Sequence, residues 1–263
     1  MKLNPNGLKI FPFNHQPSFA ELWEVAIETL YDRPIYVNEF KAMLEANGIT
    51  KGSRILDTCS GGGFPALDLV RDGYRVEALD ASVDMVELYN CRSADLGLIS
   101  RCTHGRWQEL PRLLPGQKYD LLICRGNSFR HAAGGWNKAE KGFPNADAAY
   151  HETLQIFREA LKPGGRLYVD ISRDPTNHRE MICWIDVEGR HEQLNFVIEQ
   201  DGAVRRASFI RVSPDGTEIK LPNSAPALVP YELEQLIKKA GFRLQPVSIP
   251  AESELFQGWM AHI

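Results

Sequence analysis

The chain has 263 residues, of which 43% are hydrophobic and 24% charged, and its formal net charge is −4. These proportions are typical of a folded α/β core with modest additions and exclude wholesale disorder. The slightly acidic balance disfavours a nucleic-acid partner, because nucleic-acid enzymes usually carry a basic face. A small-molecule partner is therefore favoured.

Cysteine usage and the N-terminal segment indicate a cytoplasmic protein. The five cysteines are widely spaced and form no CxxC pair, so no metal site is predicted. Residues 1–18 hold three prolines and no long apolar run, which predicts neither a signal peptide nor a membrane span. We expect a reducing setting without a membrane partner.

Two helices are predicted ahead of the first strand, after an irregular arm over residues 1–18. Ser18 and Glu21 match a capping box that starts a helix over residues 19–30. A second helix is expected over about residues 37–47, where Gly48 ends it.

Strands and helices then alternate from residue 54 to residue 171, the order that a parallel sheet built of βαβ units requires. The predicted strands are 54–56, 75–79, 99–103, 119–124 and 166–171, and the helices among them are 66–71, 82–96 and 146–161. Ser82 is the expected N-cap of one of these helices. The fold class is therefore α/β, with a doubly wound, Rossmann-like sheet.

The pattern changes after the fifth strand. Residues 185–221 predict antiparallel strands with turns at 188–189, 201–202 and 214–216, which indicates a β insertion or lid. A helix over 231–240 and a hairpin of 243–249 with 255–263 follow. We divide the chain into an arm with helices covering the active site (1–50), the Rossmann-like core (51–175), the β insertion (176–228), and a C-terminal helix and hairpin completing the core sheet (229–263).

A glycine-rich turn follows the first predicted strand. Gly61 and Gly63 lie four and six places after Asp57, where glycine permits close approach of the backbone to a ligand. The start of the next helix offers free amides to a ligand carboxylate. Asp80 ends the second strand, where a carboxylate accepts hydrogen bonds from both hydroxyls of a ribose. The features predict a nucleoside cofactor; NAD is the main rival, but its G-x-G-x-x-G pattern fits the spacing worse.

Four segments together resemble the glycine and glycine/sarcosine N-methyltransferases, a group of class I enzymes that use S-adenosylmethionine (SAM). They are DTCSGGG at 57–63, VEALDAS at 76–82, ICRGNSFRH at 123–131 and KPGG at 162–165. The resemblance covers residues 20–175 well and the remainder loosely. It implies the class I fold, SAM as cofactor with S-adenosylhomocysteine as product, and methyl transfer to a small molecule, with an amino-acid or amine nitrogen favoured.

The resemblance also implies a set of residues that line the methionine, ribose and adenine parts of the cofactor. They are Asp57, Cys59, Gly61, Gly63, Asp80, Ala81, Arg106, Trp107, Arg125, Asn127 and His131. The family favours Asn or Asp where Arg106 stands, and a guanidinium cannot accept a hydrogen bond from the adenine amine. Trp107 and a backbone amide would then hold the ring; the alternative for Trp107 is core packing.

The resemblance implies less about the residues that would bind the methyl acceptor. The candidate substrate-binding residues are Tyr31, Tyr36, Asn127, Trp136 and Arg173, and the candidate catalytic residues are His131, Tyr36 and Arg173. Arg173 lies one place beyond the family's carboxylate-binding arginine and pairs equally well with Asp174. His131 either acts as a base or hydrogen-bonds the cofactor, and Trp136 either covers the acceptor or anchors its loop.

Two departures leave other functions open. Tyr36 falls where an arginine that contacts the cofactor is common, and residues 222–226 replace a tyrosine-rich stretch that faces the substrate. The missing tyrosines favour an O-methyltransferase acting on a carboxylate or phenol in secondary metabolism. A SAM-binding protein without transfer activity is the second alternative. Base methylation is disfavoured because no Asn-Pro-Pro-Tyr signature is present, and the N-terminal arm allows a homo-oligomer.

Overall fold

The structure, a computed structural model, describes residues 2–3, 9–136, 139, 141–173 and 177–263, and of residues 2, 3 and 9 the backbone alone. Its contacts divide the chain into two compact units. The sheet unit comprises Met1–Asp32, Gly134–Phe143 and Pro175–Ala227, and the core unit comprises Arg33–Ala133, Pro144–Asp174 and Leu228–Ile263. The division of the chain into four segments stays a prediction.

The described strands and helices are numbered in chain order. The strands are β1 (Lys2–Leu3), β2 (Lys9–Phe13), β3 (Arg54–Asp57), β4 (Arg75–Asp80), β5 (Cys102–His104), β6 (Tyr119–Cys124), β7 (Leu161–Ser172), β8 (His178–Val187), β9 (Arg190–Asp201), β10 (Val204–Val212), β11 (Glu218–Pro226), β12 (Arg243–Val247) and β13 (Phe256–His262). The α-helices are α1 (Phe19–Leu30), α2 (Arg33–Ala46), α3 (Ala66–Arg71), α4 (Val83–Asp95), α5 (Leu110–Leu113), α6 (Ala146–Ala160) and α7 (Pro230–Lys239). Short 3₁₀ helices cover Trp107–Glu109, Ser128–Ala133 and Pro250–Glu252.

The core unit is built on a seven-stranded sheet in the order β12-β13-β7-β6-β3-β4-β5. The strands from β7 to β5 run parallel, and β13 pairs antiparallel with both β7 and β12. Residues such as Leu56, Leu122 and Val169 are fully buried in its main hydrophobic cluster. The doubly wound α/β prediction is confirmed. This sheet brings the carboxyl ends of β3, β4, β6 and β7 to one edge, where ligands bind in such folds.

Several boundaries in the core unit differ from those predicted. Helix α2 begins at Arg33, earlier than expected, because Pro34 is tolerated in a first helical turn. Strand β7 begins at Leu161 and includes the KPGG segment, with an irregular register opposite β6. Strand β5 starts only at Cys102, and Ile99, placed in that strand by its apolar character, is fully exposed.

The sheet unit contains a six-stranded sheet in the order β1-β2-β8-β9-β10-β11. Its pairings are antiparallel except for that of β2 with β8, so the arm expected to be irregular supplies strands instead. The predicted capping box is present, with the Glu21 amide donating to Ser18 Oγ and the Ser18 amide to Glu21 Oε2. Helix α1 buries Phe19 and Leu22 in a cluster with strand residues such as Phe209. The predicted antiparallel insertion is confirmed.

Among the described residues, no helix is both long enough and apolar enough to cross a membrane.

Candidate cofactor site

The turn after β3 is closed by its own hydrogen bonds. Asp57, only 1% exposed, accepts the Cys59 amide at 3.2 Å. The Gly63 amide donates to the Ser60 carbonyl at 2.9 Å, and the Gly61 amide to Asp80 Oδ2 at 2.9 Å. These bonds hold the turn in one shape and tie the end of β3 to the end of β4.

Asp80 is held in place from two sides. Besides Gly61, the Ser82 amide donates to Asp80 Oδ1 at 2.8 Å, and the Ser82 hydroxyl caps α4 by accepting the Met85 amide. Burial raises the pKa of Asp80, while the Ser82 and Gly61 amides oppose that rise. Each carboxylate oxygen keeps a second lone pair. Two acceptor positions therefore remain at the edge of the sheet, as recognition of two adjacent hydroxyls requires.

The two glycines of the turn serve different purposes. Gly61 has a φ of 52°, and a Cβ there would lie in ordinary van der Waals contact with Met85 Sδ at 3.8 Å, so the protein itself leaves room for one more atom beside it. Gly63 has a φ of 101°, and its Cβ would lie 2.5 Å from Leu67 Cδ1. Glycine at position 63 is thus favoured by its left-handed φ and by the close packing of Leu67, with or without a ligand.

The expectation of free amides at the next helix is corrected at one position. The Leu67 amide donates to the Gly63 carbonyl at 2.7 Å, and the amides of Gly61 and Gly63 are also engaged within the protein. A ligand carboxylate would need donors other than these three.

Trp107 supports the turn from the protein interior. Its Nε1 donates to the Thr58 carbonyl at 2.6 Å, and its ring stacks near Phe129 and meets Phe157 edge-on. Trp107 is 9% exposed, whereas Arg106 is exposed and uses its backbone amide to bond Glu109. These contacts are those of core packing, and contact of Trp107 with adenine stays a prediction.

Arg125 follows β6 and bonds to both sides of the glycine turn. Its carbonyl accepts the Cys59 thiol at 3.5 Å, and its Nη1 donates to the Phe64 carbonyl at 3.1 Å. The guanidinium lies 5.0 Å from the ring of Tyr36 and 5.3 Å from that of Phe64. Its Nη2 reaches Glu252 Oε2 at 3.5 Å. A buried cation is thereby enclosed by two aromatic faces, a carbonyl and a carboxylate.

A buried acidic cluster surrounds Glu252. Tyr36 and Tyr168 donate their hydroxyls to Glu252 Oε1 at 3.1 and 3.3 Å, and Tyr168 also lies 3.3 Å from Asp170 Oδ2. Burial, followed by the nearby Glu252 charge, raises the pKa of Asp170 to about 7. Two carboxyl groups face one guanidinium here, that of Arg125. When both are ionised, the cluster carries an excess negative charge.

Asn127 adopts a φ of 67° just after Gly126, and its bonds fix the chain between β6 and the following 3₁₀ helix. Its amide donates to Asp170 Oδ1 at 2.8 Å, and its side-chain oxygen accepts from Arg130 Nε at 2.6 Å and from the Ser172 amide at 3.2 Å. Asn127 is therefore a buttress of this edge. His131 lies half-buried in the same 3₁₀ helix.

The remaining acceptor candidates are distributed over both units. Tyr36 is fully buried in the core unit, whereas Tyr31 ends α1 and Trp136 lies in the sheet unit. Trp136 meets the ring of Phe19 edge-on at 5.0 Å, which is a loop-anchoring contact. Arg173 is exposed and donates to the carbonyls of Ser253, in the turn before β13, and of Phe256, the first residue of β13. Binding of substrate by these residues stays a prediction.

Three residues of the acidic cluster were not anticipated. Asp170 carried a usable signal, since an acid inside the apolar strand run 167–171 requires a buried partner. Tyr168 in the same run carried the weaker signal of a buried hydroxyl. Glu252 lies in a short Pro-Ala-Glu turn whose composition gives no indication of burial.

Comparison with known proteins identifies the kind of domain. A model described as "Methyltransferase domain" matches residues 49–202. A glycine/sarcosine N-methyltransferase of Aphanothece halophytica is 31% identical over 58% of the chain and 51% of its own length. A glycine/sarcosine/dimethylglycine N-methyltransferase of Actinopolyspora halophila is 29% identical over 86% of the chain and 37% of its own length.

Solved structures share the fold at low identity. A SAM-dependent methyltransferase from Clostridium acetobutylicum ATCC 824 superposes with a TM-score of 0.69 at 13% identity, over 93% of this chain and 97% of its own. A sugar N-methyltransferase from Streptoalloteichus sp ATCC 53650 gives 0.66 at 13% identity, over 100% and 98%.

The model match covers more than half of the chain, and the chain belongs to the class I, SAM-dependent methyltransferase family. It spans about half the length of the glycine/sarcosine relatives that it matches. The residues fit SAM, because no protein atom clashes with an atom added at Gly61 and Asp80 keeps lone pairs for the ribose.

Proposed function

We propose that the protein transfers the methyl group of SAM to the nitrogen of a small amine or amino acid. One observation carries the proposal: Arg125 joins the cofactor turn to a buried cluster in which Asp170 and Glu252 outnumber the single guanidinium. Once Asp170 is ionised, above about pH 7, the excess negative charge attracts an ammonium group and repels a carboxylate or phenolate nucleophile. The N-methyltransferase names of the relatives support the same acceptor atom.

SAM, when bound, supplies both the methyl group and its own sulfur leaving group. The chain then has to hold a nucleophile in line with the methyl group and to exclude water. Positioning of this kind can supply roughly 7–11 kcal/mol. Asp80 would hold the ribose and Cys59 would line the methionine part of the site. An ammonium group drawn to the cluster must first lose its proton to solvent. The neutral amine then attacks without a general base, so His131 is assigned to the cofactor side.

Tyr36 would orient the acceptor. Its hydroxyl is fixed by Glu252 and its ring covers Arg125, so neither group can turn freely. We propose that Tyr36 and Asn127 shape the acceptor side of the core unit. Arg173 is the weaker candidate because its guanidinium already donates to two backbone carbonyls.

The decisive experiment compares glycine with glycolate, in which a hydroxyl replaces the amine. The protein is incubated with SAM and each acceptor, S-adenosylhomocysteine is quantified, and the product is analysed by mass spectrometry. Sarcosine and glucosamine extend the amine series. We expect S-adenosylhomocysteine with amines and none above background with glycolate. Turnover confined to carboxylate or phenol acceptors would replace the proposal with O-methylation, and tight SAM binding without turnover would indicate a binding protein.

A matched pair of variants tests the acidic cluster. We expect Glu252→Gln to lower kcat/KM for the amine about tenfold, because it removes one charge while retaining the side-chain shape. Glu254→Gln, two residues along and exposed, serves as the control. Equal activity of both variants would remove Glu252 from the acceptor side.

A further inference from the structure

Four arginines among the described residues are buried, and they differ in their partners. They are Arg125, Arg130, Arg205 and Arg211. Arg125 is close to Glu252, Arg130 donates to Asn127 and Ser172, and Arg211 is paired with Glu192 at 2.8 Å. Arg205 is 7% exposed and has no hydrogen-bond or ion-pair partner among the described residues. Burying a charge without a partner is costly, so an unpaired guanidinium requires an explanation.

The strand register shows why no acid of the sheet reaches Arg205. Directly cross-strand residues share a face, and opposite Arg205 these are Gln200 on β9 and Ala225 on β11. The acids on either side of Gln200 are Glu199 and Asp201, which project to the opposite face. There they pair with Lys220 at 2.9 Å and Arg206 at 3.5 Å.

The same face has small side chains beside Arg205 and a second polar group. Ala207 and Ala225 are small and buried, so the side chains nearest Arg205 on its own and the neighbouring strand are methyl groups. Asn223 is opposite Ala207 and therefore diagonal to Arg205. It is 5% exposed, and its side chain has no hydrogen-bond partner within the described part of the chain. Arg205 and Asn223 thus offer side-chain donors that no acceptor of the described chain engages, and of these donors the Arg205 Nε is fully shielded from solvent.

We propose that Arg205 of the sheet unit binds the carboxylate group of a small organic ligand, with Asn223 donating an additional hydrogen bond. A guanidinium matches a carboxylate through two parallel hydrogen bonds. On this face Arg211 is already paired with Glu192, whereas Arg205 has no acid beside it, so one monoanion would neutralise the Arg205 charge. Burial lowers the pKa of Arg205 to about 10, as expected for a cation without a partner, and a bound anion would reverse this effect.

The first test uses acetate and its neutral isostere acetamide at pH 8, with sodium chloride at matched ionic strength. We expect acetate, and neither acetamide nor chloride, to raise the melting temperature of the wild-type protein in a saturable manner. Calorimetry supplies the dissociation constant. Identical responses to acetate, acetamide and chloride would overturn the proposal without any variant.

Substitutions then locate the site. We expect Arg205→Met to weaken acetate binding by about 10- to 100-fold, the range of a lost charged hydrogen bond. The control Arg206→Met alters the next residue, which projects to the other face and is paired with Asp201. If Arg205→Met does not fold, Arg205→Lys keeps the charge, loses the two-pronged geometry and should still bind acetate more weakly. Unchanged binding in the Arg205 variants would place the carboxylate elsewhere.

Methylation of sarcosine and of its amide, sarcosinamide, distinguishes whether the bound carboxylate belongs to the methyl acceptor or to a separate ligand. This measurement rests on the proposed methyl transfer, whereas the acetate titration does not. A KM in Arg205→Met raised about 10- to 100-fold for sarcosine alone would assign the carboxylate to the acceptor. A KM unchanged for both, with acetate binding lost, would assign it to a separate carboxylate ligand. If the wild type shows no turnover, the proposed function is wrong, and the acetate titration alone decides whether Arg205 binds a carboxylate.

Discussion

Buried charge is neutralised by different means in the two units. In the core unit, Asp57, Asp80 and Asp170 accept backbone amides from turns at the strand ends. In the sheet unit, Arg211 lies within a strand and pairs with an acidic side chain, Glu192. Turns have free amides and carbonyls to offer, whereas the ladder of a sheet uses its own. A buried arginine within a strand therefore depends on an acidic neighbour or on a ligand.

The arginines outside the strands illustrate the same rule. Arg125 donates to the carbonyl of Phe64, and Arg173 donates to those of Ser253 and Phe256. None of these carbonyls belongs to the interior of a strand pair. Removing an acid should therefore have its largest effect in the sheet unit, where no backbone group can replace it.

The largest expected effect is that of Glu192→Ala. It leaves Arg211, 2% exposed, without its carboxylate, and we expect the free energy of unfolding to fall by about 3–5 kcal/mol. Urea denaturation measures the change. Glu199→Ala on the same strand removes an exposed pair with Lys220 and should cost at most about 1 kcal/mol. Equal losses in the two variants would contradict the role assigned to burial.

The second effect is a pH dependence that originates in the core unit. Burial raises the pKa of Asp57 from 3.8 to about 7. The folded chain therefore binds this proton more tightly than the unfolded chain, and stability falls as pH rises from about 4 to about 7. The shift corresponds to a loss on the order of 4 kcal/mol across this window.

Asp57→Asn isolates this contribution, since the amide keeps an acceptor for Cys59 but does not titrate. We expect its unfolding free energy to decline less steeply with pH than that of the wild type. A remaining slope is expected from Asp170, whose pKa burial also raises to about 7. Asp95→Asn, at an exposed position, is the control. Parallel pH profiles for the wild type and Asp57→Asn would exclude titration of Asp57 in this range.

The third effect concerns the cofactor. Asp80→Ala should weaken SAM binding by roughly 1–3 kcal/mol, the contribution expected from buried hydrogen bonds to a ribose. Calorimetry measures it, with Asp84→Ala, exposed in the first turn of α4, as the matched control. Unchanged affinity in Asp80→Ala would mean that the end of β4 does not contact the ribose.

The same difference between the units explains what the sequence predicts well. The order of strands and helices in the core follows from their periodicity, and β6 and α3 have the predicted bounds. The turns at Glu188-Gly189 and Asp201-Gly202 were predicted equally well, because each contains a glycine, which readily adopts the left-handed backbone conformation found there.

The pairing of strands that are distant in the sequence could not be predicted in the same way. Nothing local indicates that residues 9–13 join β8 as a parallel strand, because that choice depends on a partner more than 160 residues away. The burial of Glu252 depends likewise on Tyr36, at the other end of the chain. Turn glycines and helix caps depend on residues that are adjacent in the sequence. A buried charge depends on partners that are brought together only by the fold.

The smallest expected effect is that of Arg106→Ala. This substitution tests whether the Arg106 side chain, and not only its backbone, takes part in the cofactor site. The side chain is exposed, and the Arg106 amide, which the substitution retains, bonds to Glu109. We expect SAM affinity and stability each to change by less than about 0.5 kcal/mol. Trp107→Phe, which loses the bond to the Thr58 carbonyl, should cost about 1 kcal/mol of stability. A loss of SAM affinity in Arg106→Ala beyond that in Trp107→Phe would assign the adenine contact to the guanidinium, and the aromatic ring would then act only as core.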